Sequence, residues 1–311
     1  MMYKTNVVGL VGGGPRPRFP ENKVALWDDH QLRSANELSY KSEVKGLLLS
    51  RTRLAVVLEL KVLYYNFEDL RLIDTIETCR NPLGVCCISQ DPQMELLACL
   101  FLARGNIRIQ LYYQKRTVVT SAHDSSISCM CLSRDARLLA VASDKGTLIR
   151  IFHTIDGQMH QEVRRGIDKA VINYMTFDAN AMWLACCSDK DSVHIFVVLK
   201  GGEEDGNARN TTSSLGFFRK LLPKYFDSEW SFAKLRVSGR HKVCAFGPEP
   251  GSLIRTFPHS CVLRRRLLPR QFRRGEGRRW RSASDKATAN NQIALVMEPV
   301  LVPCRWEPSG W

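Results

Sequence analysis

Leu54–Leu58 (LAVVL), Leu96–Cys99 (LLAC), Leu138–Val141 (LLAV) and Leu184–Cys187 (LACC) are four copies of one short apolar run. They stand 42, 42 and 46 residues apart. Each is followed by a turn and a second short run: Lys61–Tyr65 (KVLYY), Asn106–Leu111 (NIRIQL), Thr147–Phe152 (TLIRIF) and Ser192–Phe196 (SVHIF). Lys23–Trp27 (KVALW) is an earlier copy of the second run, and Asp28 completes a Trp-Asp dipeptide. The runs are short, rich in β-branched residues and punctuated by Gly, Asp, Asn and Ser, which is the pattern of strands rather than helices.

A period of about 40–45 residues with several strands per unit marks the blade of a β-propeller. A blade is a small sheet that cannot bury both faces alone, and stacking against neighbours buries them. The expected fold class is all-β, a WD-repeat β-propeller of the seven-bladed type, here incomplete. Blade units fall at 42–78, 84–122, 125–162 and 170–236, with partial units at 6–40 and 242–256. Residues 1–257 thus form the propeller portion, short at both ends. From Pro258 the strand pattern stops, and 258–311 reads as an arginine-rich disordered tail in which Arg264–Leu268 has the spacing of a helical turn. The repeat breaks off in mid-blade, as an altered reading frame or a retained intron would also leave it.

The composition of the 311 residues agrees with a folded body. Hydrophobic residues make up 44%, which excludes a wholly disordered chain. No apolar run is long enough to span a bilayer as a helix. Met1 to Gly14 has one lysine and no cleavage-type signal, which argues against secretion. The net charge of +14 is uneven. Arg255 to Arg281 holds ten arginines, no lysine and one acid, Glu276, so it contributes +9 and leaves +5 for the rest. Eleven cysteines include the adjacent pairs Cys86-Cys87 and Cys186-Cys187 but no Cys-x-x-Cys or zinc spacing. They read as small buried hydrophobes in a reducing compartment.

No enzyme motif is present. Val11–Gly14 (VGGG) lacks the lysine of a phosphate loop and reads as a turn between strands. Nothing resembles a nucleophile elbow, a zinc-protease helix or a carboxylate pair, and no cofactor or metal is implied. The informative stretch is His123 to Phe196. One blade offers His123, Ser143, Gly146, Thr147 and Arg150; the next offers Ser188, Ser192 and His194. Between them stand Arg164 and Arg165. Neighbouring side chains on an extended segment point to opposite sides, so each arginine can serve one pocket. Guanidinium forks match phosphate oxygens, and hydroxyls add donors. Gly166 is expected to let the chain turn away.

The stretches LVGGGPRPRFPENKVALWDD (10–29), ETCRNPLG (77–84), SDKGTLIRIF (143–152), EVRRG (162–166), SVHIF (192–196), LPKYFDSEWSFAK (222–234) and CAFGPEP (244–250) carry a resemblance. Over about residues 6 to 254 the chain resembles the PROPPINs, or WIPI proteins, phosphoinositide-binding propellers of autophagy. It is most similar to the branch with an L-R-R-G motif, with Val163 in place of the leucine. The resemblance implies two sites for phosphatidylinositol 3-phosphate and phosphatidylinositol 3,5-bisphosphate. One would use His123, Ser143, Gly146, Thr147, Arg150 and Arg164; the other Arg165, Ser188, Ser192 and His194. Phe272-Arg273-Arg274-Gly275 spells the commonest family motif but lies in the arginine tail, with no blade before it.

Gly201 to Ser214 is polar, and an apolar-basic segment follows. Leu215, Phe217, Phe218, Leu221, Leu222, Tyr225 and Phe226 interleave with Arg219, Lys220 and Lys224. On a helix 215, 218, 222 and 225 share a face, with cations at the flank. Apolar groups would enter lipid while cations meet anionic headgroups. Trp230 and Phe232 belong to the strand that follows. The resemblance thus implies an adaptor that joins phosphoinositide-containing membranes to autophagy proteins. Among these a lipid-transfer protein is held through early blades, of which this chain shows only part. Such an adaptor is cytoplasmic and peripheral on phagophore, preautophagosomal and endosomal or lysosomal membranes. The alternatives are an interaction scaffold or non-functional partial isoform without lipid selectivity, and polyanion binding by the arginine tract, which offers no specific nucleic-acid site.

Overall fold

The structure, a computed structural model, describes residues 6–13, 17, 19–198, 229–236, 243–246, 252–254 and 265–266; every helix or strand among them is a β-strand. They form two compact units. The first holds the described residues up to Leu139 together with His153–Gln158; the second holds Ala140–Phe152 and the described residues from Met159 onward.

In the first unit β1 (Val7–Val11), β2 (Lys23–Asp28) and β3 (Arg33–Ser39) pair in chain order. A four-stranded sheet follows: β4 (Val44–Leu49), β5 (Arg53–Leu58), β6 (Lys61–Asn66) and β7 (Leu72–Glu77). The next is β8 (Cys86–Ile88), β9 (Leu96–Leu100), β10 (Asn106–Leu111) and β11 (Arg116–Ser121); β12 (Ile127–Leu132) falls in the same unit but is not a strand of this sheet. The strand pairings in these sheets are antiparallel.

The LAVVL run is continuous because its sheet is covered on both faces. Leu54, Val56 and Leu58 pack with Val24, Leu26, Leu47 and Leu49 on one side. Ala55 and Val57 pack with Cys86, Ile88, Leu97 and Cys99 on the other. A strand buried on one face only would alternate with polar residues; one buried on both faces does not. The repeat also appears in polar links. Arg53 Nε donates to Glu95 Oε1 at 2.6 Å and its terminal nitrogen donates to Oε2 at 3.1 Å, across 42 residues. Cys87 Sγ donates to the Met130 carbonyl across 43.

The second unit is built on β13 (Leu138–Ser143), β14 (Leu148–His153) and β15 (Met159–Arg164). Beside them runs a four-stranded sheet of β16 (Ile172–Phe177), β17 (Trp183–Ser188), β18 (Ser192–Val197) and β20 (Ala233–Arg236). The short β19 (Glu229–Trp230) lies parallel to the end of β15. A three-stranded sheet joins β21 (Ala245–Phe246), β22 (Ser252–Ile254) and β23 (Arg265–Arg266). Arg265 and Arg266 are therefore extended, not the helical turn suggested by Arg264–Leu268. Trp230 lies on β19, while Phe232 falls between β19 and β20 and packs edge-on against Trp183 with ring centres 5.1 Å apart.

Candidate functional site: paired hairpins around two buried arginines

Two hairpins of the second unit have almost the same sequence. Ser143-Asp144-Lys145-Gly146-Thr147 joins β13 to β14, and Ser188-Asp189-Lys190-Asp191-Ser192 joins β17 to β18. Both place a residue with left-handed backbone just before the end, Gly146 at φ +60° and Asp191 at φ +50°. Both open on a buried serine. In the second, Ser188 and Ser192 face each other across the strand pair.

Gly146 has a reason to be glycine. A Cβ there would lie 1.9 Å from the Ala170 carbonyl oxygen. Its own N–H donates to the Ser143 carbonyl at 2.9 Å, closing the turn. Gly166, by contrast, does not work as the sequence suggested. It has no left-handed φ, and a Cβ there would meet nothing within 4 Å. The chain leaves β15 without using glycine's freedom.

Arg164 ends β15, opposite Leu148 on one side and Trp230 on the other, and is 5% exposed. Val163 before it is fully buried, as an apolar packing residue should be. Arg165 is 6% exposed. Its backbone N–H donates to the Thr147 carbonyl at 2.9 Å, and its Nε donates to the Gly146 carbonyl at 2.6 Å. A terminal nitrogen donates to the Asp168 carbonyl. Among the described residues its side-chain acceptors are carbonyl oxygens. The guanidinium is thus held in place at the first hairpin without a carboxylate to cancel its charge. A buried arginine offers five N–H groups, so donors remain for an anion.

Arg150 is placed differently. It sits opposite Glu162 in the strand pair and donates from Nε to Glu162 Oε2 at 2.7 Å. The corresponding strand of the next sheet carries His194, opposite Lys234 of β20. His194 is 3% exposed. Its Nε2 lies 3.2 Å from Ser192 Oγ and its Nδ1 lies 3.2 Å from Ser231 Oγ. Burial, with the positive charges of Lys234 and Arg165, pushes its pKa down to about 3. The ring is neutral at physiological pH.

The second unit thus brings together Ser143, Gly146, Thr147, Arg150, Arg164, Arg165, Ser188, Ser192 and His194. His123 is in the first unit; it is 6% exposed, and its N–H donates to the Gly105 carbonyl at 3.0 Å. The segment with Leu215, Phe217, Phe218, Leu221, Leu222, Tyr225 and Phe226 lies outside the described residues, as does Phe272–Gly275. Sequence reasoning missed Glu162, Asp168, Ser231 and Lys234. Glu162 was within reach, because antiparallel register from a short hairpin sets it against Arg150. Ser231 and Lys234 had no such signal, because a long insertion separates them from β18.

Other places offer less. An open cleft of about 660 Å³ in the first unit is lined by Glu21, Glu43, Glu59, Lys41 and Lys45, charges of both signs. Among the described residues no cluster of His, Cys, Asp and Glu could hold a metal, and no helix is long and apolar enough to cross a membrane.

Repeated antiparallel sheets of this kind define a β-propeller protein, with the arginine pair at the end of β15 beside the first hairpin. The family model for PROPPIN matches residues 24–247, and the chain belongs to the PROPPIN family. It is 37% identical to Autophagy-related protein 18e of Arabidopsis thaliana over 252 residues, 80% of this chain. The match spans about two thirds of that relative's length, 66%. The crystal structure of Hsv2 from Kluyvelomyces marxianus superposes with a TM-score of 0.65 at 27% identity, covering 83% of this chain and 74% of that one. An Atg21 solved in complex with the coiled coil of an Atg16 has the same fold, with a TM-score of 0.64 at 20% identity, covering 82% and 75%.

Proposed function

We propose that the chain reads phosphatidylinositol 3-phosphate and phosphatidylinositol 3,5-bisphosphate on autophagy membranes and recruits autophagy proteins there. The observation that carries this is Arg165: a buried guanidinium, held by two carbonyls beside buried hydroxyls, with its charge uncancelled. A dianionic phosphate gains most from such a group, because the arginine is already desolvated and fixed. One pocket uses Ser143, Gly146, Thr147, Arg150 and Arg164. The other uses Arg165, Ser188, Ser192 and His194. His123 belongs to the other compact unit and carries no part of this reading. On sequence alone the apolar-basic segment 215–226 supplies a third, membrane-inserting contact, so that weak contacts act together. None of this needs a catalytic group.

The test is co-sedimentation with liposomes, comparing phosphatidylinositol 3-phosphate with phosphatidylserine at equal charge. Selective binding that is lost in Arg164→Ala/Arg165→Ala and kept on deletion after Phe257 supports the reading. Equal binding to both vesicles, unaffected by the double change, overturns it and points to the arginine tract. No binding to either vesicle leaves a scaffold and also overturns it.

A further inference from the structure

We infer that Lys234 is a specificity-determining residue of the second pocket: its ammonium meets the second phosphate of a doubly phosphorylated inositol headgroup whose other phosphate is held by Arg165. The inference rests on the phosphoinositide reading for its ligand. It goes beyond that reading by separating the two pockets and giving the bisphosphate to the second.

The position of Lys234 follows from strand register. β20 runs antiparallel to β18 and sets Lys234 directly against His194, with Arg236 against Ser192. Residues directly opposite in such a pair share a face, with Cβ atoms about 4.5–5.5 Å apart. Lys234 therefore stands on the face of the sheet that carries the His194 ring. The two side chains differ in exposure: His194 is buried and Lys234 is exposed. A lysine so placed lays its stem along the protein and keeps its ammonium in water. Among the described residues no carboxylate pairs with it. Its charge and that of Arg165 both reach the His194 ring and oppose its protonation. A neutral imidazole thus lies in the field of two cations, one buried and fixed, the other exposed on a flexible stem.

Two phosphates on one inositol ring repel each other, and a cation for each relieves that repulsion. Arg165 meets the first, anchored by the carbonyls of Gly146 and Asp168. Lys234 meets the second. Its ammonium has three donors and no fixed fork, so it follows a phosphate whose place depends on the tilt of the ring. The first pocket has no equivalent. Arg150 stands there where His194 stands in the second, and the residue facing it across the strand pair is an acid, Glu162. That acid already bonds Arg150 at 2.7 Å. A second phosphate arriving at this place would meet a carboxylate. Glu162 and Lys234 hold corresponding register positions with opposite charge, and this inversion assigns the bisphosphate to the second pocket.

Vesicle binding of the full chain decides it. The vesicles carry phosphatidylinositol 3,5-bisphosphate, phosphatidylinositol 3-phosphate or neither, with phosphatidylserine adjusted so that all three have the same surface charge. Lys234→Gln keeps the stem and removes the charge; at an exposed position it should leave the unfolding midpoint unchanged. It is expected to weaken binding to the bisphosphate vesicles by roughly 3–5-fold and to the monophosphate vesicles by less than about 2-fold, with the loss fading at high salt. Lys234→Arg restores the charge and the preference. In the Arg165→Ala background Lys234→Gln should add no selective loss, because the headgroup is no longer held beside it. A lysine that only adds to the general attraction of the surface would weaken all three vesicles alike, and that result overturns the inference, as does unchanged binding to all three. Soluble inositol 1,3,5-trisphosphate, titrated calorimetrically, separates headgroup from bilayer: the same loss there supports the contact, and a loss confined to vesicles overturns it. A wild type that binds all three vesicles equally sinks the phosphoinositide reading and this inference with it. A selective wild type with an indifferent Lys234→Gln sinks this inference alone.

Discussion

The hairpins at 143–147 and 188–192 reach one backbone shape by two routes and surround it with opposite chemistry. Each has a left-handed residue in fourth place, glycine in one and aspartate in the other. On the strand that leaves each hairpin, one polar residue faces a charged neighbour. Arg150 faces Glu162, and the pair bonds at 2.7 Å. His194 faces Lys234, and burial, helped by that charge, drives the ring neutral. The first hairpin therefore sits beside a cation already claimed by a carboxylate. The second sits beside a neutral ring that shares its field with two cations. Repetition fixes the frame, while burial and the neighbouring charges set the electrostatics around each hairpin.

The largest effect should come from testing whether the two hairpins are interchangeable. Gly146→Ala places a methyl where 1.9 Å separates the ideal Cβ from the Ala170 carbonyl, in a left-handed conformation. The conformation alone costs about 1–2 kcal/mol and the overpacking about 1–3 more. A loss of about 2–5 kcal/mol in denaturant unfolding is expected. Asp191→Gly, at the equivalent place, should change stability by less than about 1 kcal/mol, and in the favourable direction, because glycine relieves a left-handed residue. Equal losses for both would show that the hairpins do not share a frame.

Acid separates the two pockets next. The folded pKa of His194 lies below the ordinary imidazole value, so the unfolded chain takes up a proton that the folded one refuses. The contribution to stability is whole above about pH 6.5 and shrinks as pH falls toward about 3. Each unit below the ordinary value costs about 1.4 kcal/mol. Between pH 7 and pH 5 the wild type should lose about 2 kcal/mol more than His194→Gln. Lys234→Ala removes one of the repelling charges but should leave that difference nearly unchanged, because burial, the larger cause, keeps the folded pKa well below 5. Urea titrations at the two pH values check both. An identical acid loss in wild type and His194→Gln would mean that the ring takes up its proton in the fold as readily as in the unfolded chain.

Much of this was legible in the sequence, and what was not has identifiable causes. The runs LAVVL, LLAC, LLAV and LACC are strands because each is a sheet's second strand, covered on both faces. NIRIQL is the whole of β10, from Asn106 to Leu111. KVALW loses only Asp28 from β2. The polar sets were visible as residue types on neighbouring repeats. Invisible was what each side chain does once folded. Arg165 spends part of its guanidinium on Gly146 and Asp168, which no spacing rule announces. Ser231 reaches His194 across 37 residues, after an insertion that erases the repeat. Gly166 looked like a hinge because it follows two arginines, yet its backbone is ordinary. Periodicity reports local strand formation, whereas these contacts depend on tertiary register.

The smallest expected effect tests the Arg150–Glu162 pair, the feature that sets the first pocket apart. Both side chains keep about a quarter of their surface, 26% and 23%, so the pair contributes little to stability, about 0–1 kcal/mol. Its importance is competitive: a phosphate approaching Arg150 must share it with a carboxylate that also repels the anion. Glu162→Gln keeps the side-chain length and removes the charge. Binding to phosphatidylinositol 3-phosphate vesicles should tighten by about 2–5-fold at low salt, with the gain fading as ionic strength rises. Weakened binding with unchanged stability would mean that Glu162 holds Arg150 in its working orientation. Unchanged binding at every salt concentration would mean that Arg150 does not meet the headgroup, leaving Arg164 with the hydroxyls of Ser143 and Thr147 to form the first pocket.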